Sequence, residues 1–386
     1  MKKALYIFTI FLTLISVSCL SAEQTEGPAD ITVRVLIIDD RGALALALKG
    51  RYTICALNSD RVLMSGPFLS SIVTGSKNGI IIADKEMKVR GIKISVARDS
   101  NIYVDNRRFR GRIDILLKDN GRLMVINYIK LDDYLYGVLY YEVSHRWPME
   151  ALKVQAIAAR TFALYQARQN GLQPYDLRSD VYSQMYGGRT SEKWATTRAV
   201  NLTKGKVLAL NSYLIPSYYH ATCGGHTEDA SNLWNINLPC LKGVACDFCK
   251  SSPHYKWTKE ISPIALEDKL KDGGYKIGKV VSVVVLSKNG SGRVDKLEIK
   301  DDAGASVVLT GKDFRQLMGP NELRSTKFEA SLKWNNLVLN GFGWGHGVGM
   351  CQWGAFGLAR KGKKAEEILA YYYPGIEVTT LDKLKK

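Results

Sequence analysis

The chain has 386 residues, 46% of them hydrophobic and 10% aromatic, a composition that supports a packed core and excludes extended disorder. Lys and Arg outnumber Asp and Glu 54 to 37, for a formal net charge of +17, which favours anionic polymers or surfaces without selecting one. Met1-Lys2-Lys3 followed by the apolar run Ala4 to Val17 and the small residues Ser18, Ser21 and Ala22 reads as a secretory leader. A cut after Ala22 predicts a signal peptide over 1–22 and an extracytoplasmic mature protein, in the periplasm or cell wall. Cys19 after Val17-Ser18 forms a partial lipoprotein box, with Ser16 where Leu is usual, and offers a lipid anchor. No later stretch is long and apolar enough to predict a membrane span. Export argues against a nucleic-acid partner.

Residues 23–129 read as a β-rich region. Val33–Ile38, Gly79–Ile82, Ile113–Leu117 and Leu123–Ile129 are short β-type runs separated by Gly, Asn and Asp. The character changes at Lys130. Leu131, Leu135, Val138, Leu139 and Glu142 fall on one helical face, with Asp132 and Asp133 placed to cap it. Pro148 suits the first turn of a second helix reaching Arg168, whose Leu152, Ala156, Ala159 and Ala163 form a small-residue stripe. A shorter helix is predicted from about Glu192 to Asn201, then a hairpin of Val207–Leu210 with Tyr213–Tyr219. Residues 250–335 read as a β-rich insertion, with strands at Val280–Leu286, Lys296–Lys300 and Ser306–Leu309 and a helix near Lys312–Met318. Gly341–Gly357 is glycine-rich, and a last helix spans about Lys364–Tyr372. The expected class is α+β: a β-rich N-terminal region, then a helix-containing core over 130–378 with inserted β segments.

Glu142 is the first candidate for chemistry. It lies on the apolar stripe of its helix and near that helix's C-terminus. Burial and the helix dipole both disfavour a carboxylate there and favour a protonated acid near neutral pH. The plain alternative is a stripe-edge Glu paired with Arg146 or Arg160. His220 and His346 sit in blocks rich in Gly and aromatics, where Tyr219, Trp344 and Trp353 could stack on a sugar or simply fill a core. Among the cysteines, Cys223, Cys246, Cys249 and Cys351 could hold one structural zinc, the Cys246-x-x-Cys249 pair supplying two thiolates from one turn. His220 or His226 could complete the set instead, and disulfides such as Cys240 with Cys246 are the rival in an oxidising compartment.

Three ordered blocks resemble the stage II sporulation protein D family, which includes the amidase enhancers. They are Leu131-Asp132-Asp133-Tyr134-Leu135-Tyr136-Gly137-Val138 with Glu142-Val143 and the run from Trp147 to Ala163; Tyr219-His220-Ala221-Thr222-Cys223-Gly224-Gly225-His226-Thr227-Glu228 with Asn232-Leu233-Trp234; and the run from Gly343 to Ala355. Val143 stands where the family usually has Met. The resemblance implies a lytic transglycosylase that cleaves the glycan strands of peptidoglycan between N-acetylmuramic acid and N-acetylglucosamine. It acts on strands already stripped of stem peptides and leaves 1,6-anhydro ends. It implies Glu142 as general acid then base; Arg160, His220 and His346 are expected to line the site, and no cofactor is required for the chemistry. It also implies an N-acetylmuramoyl-L-alanine amidase as partner. A non-enzymatic wall-binding protein that recruits such an amidase is the second expectation. A muramidase using water is a third, and would need Asp180, Glu192 or Glu228 as second carboxylate.

Overall fold

A computed structural model describes residues 31–180, 183–334 and 336–385. The expected leader at 1–22 and the expected anchor site Cys19 lie outside the described residues. The chain is α+β. Its first half is a run of strands, Thr32–Arg41 (β1), Ala43–Ala56 (β2), Val62–Gly75 (β3), Ile80–Ile82 (β4), Lys85–Met87 (β5), Gly91–Val96 (β6), Asn101–Val104 (β7), Arg107–Phe109 (β8), Arg112–Leu117 (β9) and Leu123–Lys130 (β10). Alternation explains them: in β2, Leu44, Leu46 and Leu48 are buried while the residues between are less so. They join in the order β1-β10-β9-β6-β2-β3-β4-β5, with β7 pairing β2 and β8 pairing β7. The length of β2 and β3, which pair from Ala43↔Thr74 to Cys55↔Val62, was not legible as two short runs.

The helices follow directly. Leu131–Glu142 (α1) buries Leu131, Tyr134, Leu135, Val138 and Leu139, the stripe read from the sequence plus a tyrosine. Lys130 is its N-cap, without a side-chain cap, so Asp132 and Asp133 lie inside the first turn rather than at the cap. They complement the dipole there instead. Met149–Gln169 (α2) starts one residue later than expected, with Pro148 as N-cap, and its small-residue face is buried. Leu177–Arg178 (β11) adds parallel to β1, and Trp194–Leu202 (α3) packs back on α2. Lys206–Leu210 (β12) and Tyr213–Leu214 (β13) form the hairpin. It ends at Leu214, short of Tyr219, and Pro216, which cannot donate to a ladder, lies just beyond. Tyr219–His220 (β14) is a separate strand, and Ser231–Trp234 (α4) is a single turn.

Residues 256–342 gather around a core of their own, including Trp257, Leu266, Leu297, Phe314 and Leu339. Lys256–Ile261 (β15), Pro263–Asp272 (α5), Val280–Lys288 (β16), Val294–Asp301 (β17), Ser306–Thr310 (β18), Gly311–Met318 (α6), Phe328–Lys333 (β19) and Asn336–Phe342 (β20) form two three-stranded sheets and two helices. The β16-β17-β18 meander and α6 match the sequence reading; β15, β19, β20 and α5 are additional. Arg293 fastens this part to the rest. It is fully buried and donates to the Cys223 and His226 carbonyls at 2.9 and 3.0 Å. Gly347, at φ +91°, lies so close that a Cβ would sit 2.5 Å from the guanidinium. Finally Met350–Cys351 (β21) pairs parallel with β14, and Gln352–Arg360 (α7), Ala365–Tyr372 (α8) and Glu377–Thr380 (β22) close the chain, β22 beside β12. Among the described residues no helix is long and apolar enough to cross a membrane.

Candidate active site and thiol cluster

Glu142 is the last residue of α1 and is half-buried. Helix α1 is pinned by the loop at 185–191. Gly187 N–H and Ser191 Oγ both donate to the Gly137 carbonyl, at 3.2 and 2.9 Å. A Cβ on Gly137 would come within 2.6 Å of the Tyr186 ring and 2.9 Å of the Gly188 carbonyl, so the motif glycine permits this approach. The same loop brings the Met185 backbone N–H to the Glu142 carboxyl.

Three donors address that carboxyl. Gln352 Nε2, at the start of α7, lies 3.4 Å from Oε2 and also 3.3 Å from Gln155 Oε1. The Tyr219 hydroxyl and the Met185 amide complete the ring. Tyr219 accepts from Gln184 Nε2 at 2.8 Å, and Gln184 Oε1 accepts from Tyr134 at 3.0 Å. The phenol's own proton is therefore free to point at Glu142. Burial pushes the Glu142 carboxyl up from 4.5 to about 7, while the Gln352, Tyr219 and Met185 donors pull the other way. Desolvation wins.

His346 and His220 stand behind Tyr219, their rings 5.5 Å apart. His346 Nδ1 accepts from Val348 N–H at 3.1 Å, so its Nε2–H donates to the Tyr219 carbonyl at 3.0 Å. Burial pushes His346 down to about 3, and it stays neutral. His220 is buried and bonds the Val348 carbonyl through Nδ1 at 3.1 Å. Both histidines hold the backbone around Tyr219; neither bonds Glu142. Trp353 packs against Trp147 and Phe356, and Trp344 against His254.

Arg160 departs from the expectation that it lines the site. It is 1% exposed, with Nη2 2.8 Å from Asp132 and further bonds to the Val200 and Lys206 carbonyls. A guanidinium on a helix face that packs against α3 must be paired, and Asp132 in the first turn of α1 supplies the partner. Its bonds lock α1 to α2. The rival carboxylates are committed elsewhere: Glu192 to Arg110 at 2.6 Å, Asp180 to Arg178 at 2.7 Å, and Glu228 to Asn289 and Ser291. Gln184, Gln155, Gln352 and Tyr134 were missed as site residues. Three of them stand inside the quoted motif blocks; Gln184 carries no sequence signal.

Cys223, Cys246, Cys249 and Cys351 are all buried, with their Sγ atoms within 4.8 Å of one another. Cys240 is a free thiol outside this cluster. A tetrahedral ion at about 2.3 Å from each sulfur needs them about 3.8 Å apart, so the set fits a metal ion. Its surroundings fit thiolates as well. Cys351 Sγ accepts from the Cys223 and Gly354 backbone N–H groups at 3.2 and 3.3 Å, and Cys246 Sγ meets the Tyr372 hydroxyl at 3.2 Å. His226 is not in the set; it bonds the Thr227 carbonyl.

Residues 119–210 match the family model of the stage II sporulation protein, and residues 241–349 match a domain of unknown function (DUF8618). Stage II sporulation protein D of Bacillus subtilis is 30% identical over 272 residues, 66% of this chain and 76% of that protein. This chain belongs to the stage II sporulation protein D family. An uncharacterised protein of Brachyspira hyodysenteriae is 30% identical over 355 residues, 92% of this chain and 94% of its own. The amidase enhancer of Bacillus subtilis is 27% identical over 293 residues, 64% of this chain but 40% of its own. The family segment at 119–210 carries Glu142, Gln155, Arg160 and Gln184; Tyr219, Gln352 and the cysteines lie beyond it.

Proposed function

We propose that this member of the stage II sporulation protein D family is an exported lytic transglycosylase that cleaves peptide-free peptidoglycan strands, with Glu142 as its catalytic residue. One observation carries the reading: a half-buried carboxyl at a helix end, ringed by neutral donors and pushed up to about 7. At neutral pH about half of such groups hold a proton, whereas a carboxyl at 4.5 would be almost wholly ionised. Protonated Glu142 gives its proton to the bridging oxygen as the bond from C1 of N-acetylmuramic acid breaks, releasing the N-acetylglucosamine hydroxyl. The resulting carboxylate takes the proton from the sugar's own C6 hydroxyl while O6 closes on C1. The acid is regenerated and no water enters. One carboxyl suffices, which agrees with Asp180, Glu192 and Glu228 being engaged elsewhere. Tyr219 and Gln352 are positioning residues: they hold the carboxyl and ease the negative charge it carries between the two transfers.

We further propose that the four cysteines hold one structural zinc. Four thiolates leave no position for a substrate, so the ion supplies cross-linking, not chemistry. Residues 23–129, 130–378 and the inserted 250–335 are proposed as the working units, with an amidase that strips stem peptides as partner.

Peptide-free glycan incubated with the protein should yield 1,6-anhydro-muramic ends by mass spectrometry, and Glu142→Gln should lower the rate at least about a hundredfold. Reducing ends would indicate a hydrolase. The relative named amidase enhancer supports a second reading. No cleavage, together with faster turnover of an added amidase, would replace the enzyme by a recruiter.

A further inference from the structure

Gln184 is buried and uncharged, and both ends of its amide are committed. The nitrogen lies 3.3 Å from the Ala159 carbonyl and 2.8 Å from the Tyr219 hydroxyl, while the oxygen accepts from Tyr134 at 3.0 Å. The Ala159 carbonyl can only accept, so the amide atom facing it is the nitrogen. With one hydrogen on Ala159, that nitrogen presents its second to Tyr219. The Tyr219 oxygen therefore accepts from Gln184, and its own hydrogen goes to the Glu142 carboxyl. Burial, then the charge of Glu142, pushes the Tyr219 phenol well above its ordinary value, so it keeps that hydrogen. The peptide that follows Gln184 supplies a second donor to Glu142, the Met185 N–H, which cannot reverse its role. Gln352 presents Nε2 from a third side. Among the described residues, the titratable groups facing the carboxyl are Tyr134 on its own helix and Tyr219 on β14, and no charged side chain enters its balance.

We propose that Gln184 is a positioning residue for Glu142: it locks the Tyr219 hydroxyl as a donor, so that the ring offers the acid's own proton no acceptor and turns it toward the substrate. The proposal rests on the glycan-cleaving reading and adds the residue that sets the direction of the proton. A phenol whose oxygen is unoccupied can rotate and accept from a carboxylic acid. The proton would then be buried between Glu142 and Tyr219, the protonated form would be favoured, and the bridging oxygen of the glycan would lose its donor. Gln184 occupies the Tyr219 oxygen and closes that route. An apolar side chain of similar length would fill the same space. Only an amide gives a donor to Tyr219 and an acceptor to Tyr134 from one planar group.

The test follows the Glu142 carboxyl by carbon-13 NMR in protein labelled at the Glu carboxyl carbon, its signal being the one missing from Glu142→Gln. Gln184→Met keeps the bulk and removes the donor. It should raise the Glu142 pKa by about 0.5 pH unit, because the acid form gains an acceptor and the carboxylate loses an oriented donor. In a Tyr219→Phe background the same substitution should change nothing, since the phenol it acts through is gone. Tyr134→Phe breaks a bond of the same buried amide but leaves Ala159 holding its nitrogen, so the pKa should stay in place. On peptide-free glycan at pH 6, Gln184→Met should turn over more slowly than the wild type although more of its acid is protonated. If Gln184→Met does not fold, Gln184→Asn, one methylene too short to reach Tyr219, should give the same shift. An unmoved pKa in a variant with a native circular-dichroism spectrum, equal shifts from Gln184→Met and Tyr134→Phe, or the same shift with and without Tyr219 would overturn the proposal. The titration needs no substrate. The expected shifts without cleavage would refute the enzyme alone; anhydro ends with an unmoved pKa would refute the role of Gln184 alone.

Discussion

Replacing Glu142 with Gln should stabilise the fold above neutral pH while removing the proposed chemistry. In the folded protein the carboxyl keeps its proton up to about pH 7, against 4.5 for an ordinary Glu. Below pH 4.5 both folded and unfolded chains hold that proton, and the group contributes fully. As pH rises from 4.5 through 7 the unfolded chain ionises first, and stability is lost. At about 1.36 kcal/mol per pH unit the displacement corresponds to at most about 3.4 kcal/mol. The residue is half-buried, so solvent screening reduces this to about 1–2 kcal/mol. Gln keeps the shape and carries no charge. Urea unfolding of both proteins from pH 4 to pH 9, followed by tryptophan fluorescence, should show stabilities that coincide near pH 4, separate progressively between about pH 4.5 and 7, and stay apart by a constant amount above that, with Gln more stable. A difference that does not vary with pH, or a less stable Gln protein at pH 8, would refute the desolvated acid and with it the chemistry built on it.

Tyr219→Phe removes a donor that favours the carboxylate, so the Glu142 pKa rises further. The basic limb of the pH–rate profile should move up by about one pH unit, measured on peptide-free glycan at saturating concentration. Arg160→Ala leaves Asp132 facing an emptied, buried site and should cost about 3 kcal/mol of unfolding free energy in urea, with Asp132→Asn costing less. Cys249→Ser should reduce bound zinc from one per chain toward none in metal analysis of protein made under reducing conditions, and should lower the melting temperature. Chelation of the wild type should do the same, and should slow glycan cleavage as Cys351 and its neighbour Gln352 loosen.

The local rules of helix and strand were legible, and so was the place of Glu142 at the end of the α1 stripe. The α1 stripe, the α2 run of small residues and the β16-β17-β18 meander each carry their own periodicity. The four cysteines were legible as a set because Cys246-x-x-Cys249 is short-range and Cys351 stands in a motif block. What could not be read is pairing across long sequence distance. Nothing local in Tyr219 or Gln352 says that two short strands place both beside a helix end at residue 142. Arg160 illustrates the same limit from the other side. A motif arginine invites a role against substrate, and only the packing of α1, α2 and α3 shows its guanidinium enclosed with Asp132. Gln184 is visible only as the middle of a relay between two tyrosines that lie 85 positions apart in the chain.

The parallel pairing of Tyr219–His220 with Met350–Cys351 has a mechanical consequence. Of the two residues that grip the carboxyl, Tyr219 is itself a rung opposite Met350 and Gln352 follows directly on Cys351, which is both a rung and a corner of the sulfur cluster. Anything that spreads those sulfurs, by oxidation or by loss of a bound ion, pulls on the rung and slackens both fingers of the grip at once. The thiol cluster is thereby a tensioner for the acid: a chemical insult there would reach Glu142 through a single residue step, with no rearrangement of the larger sheet.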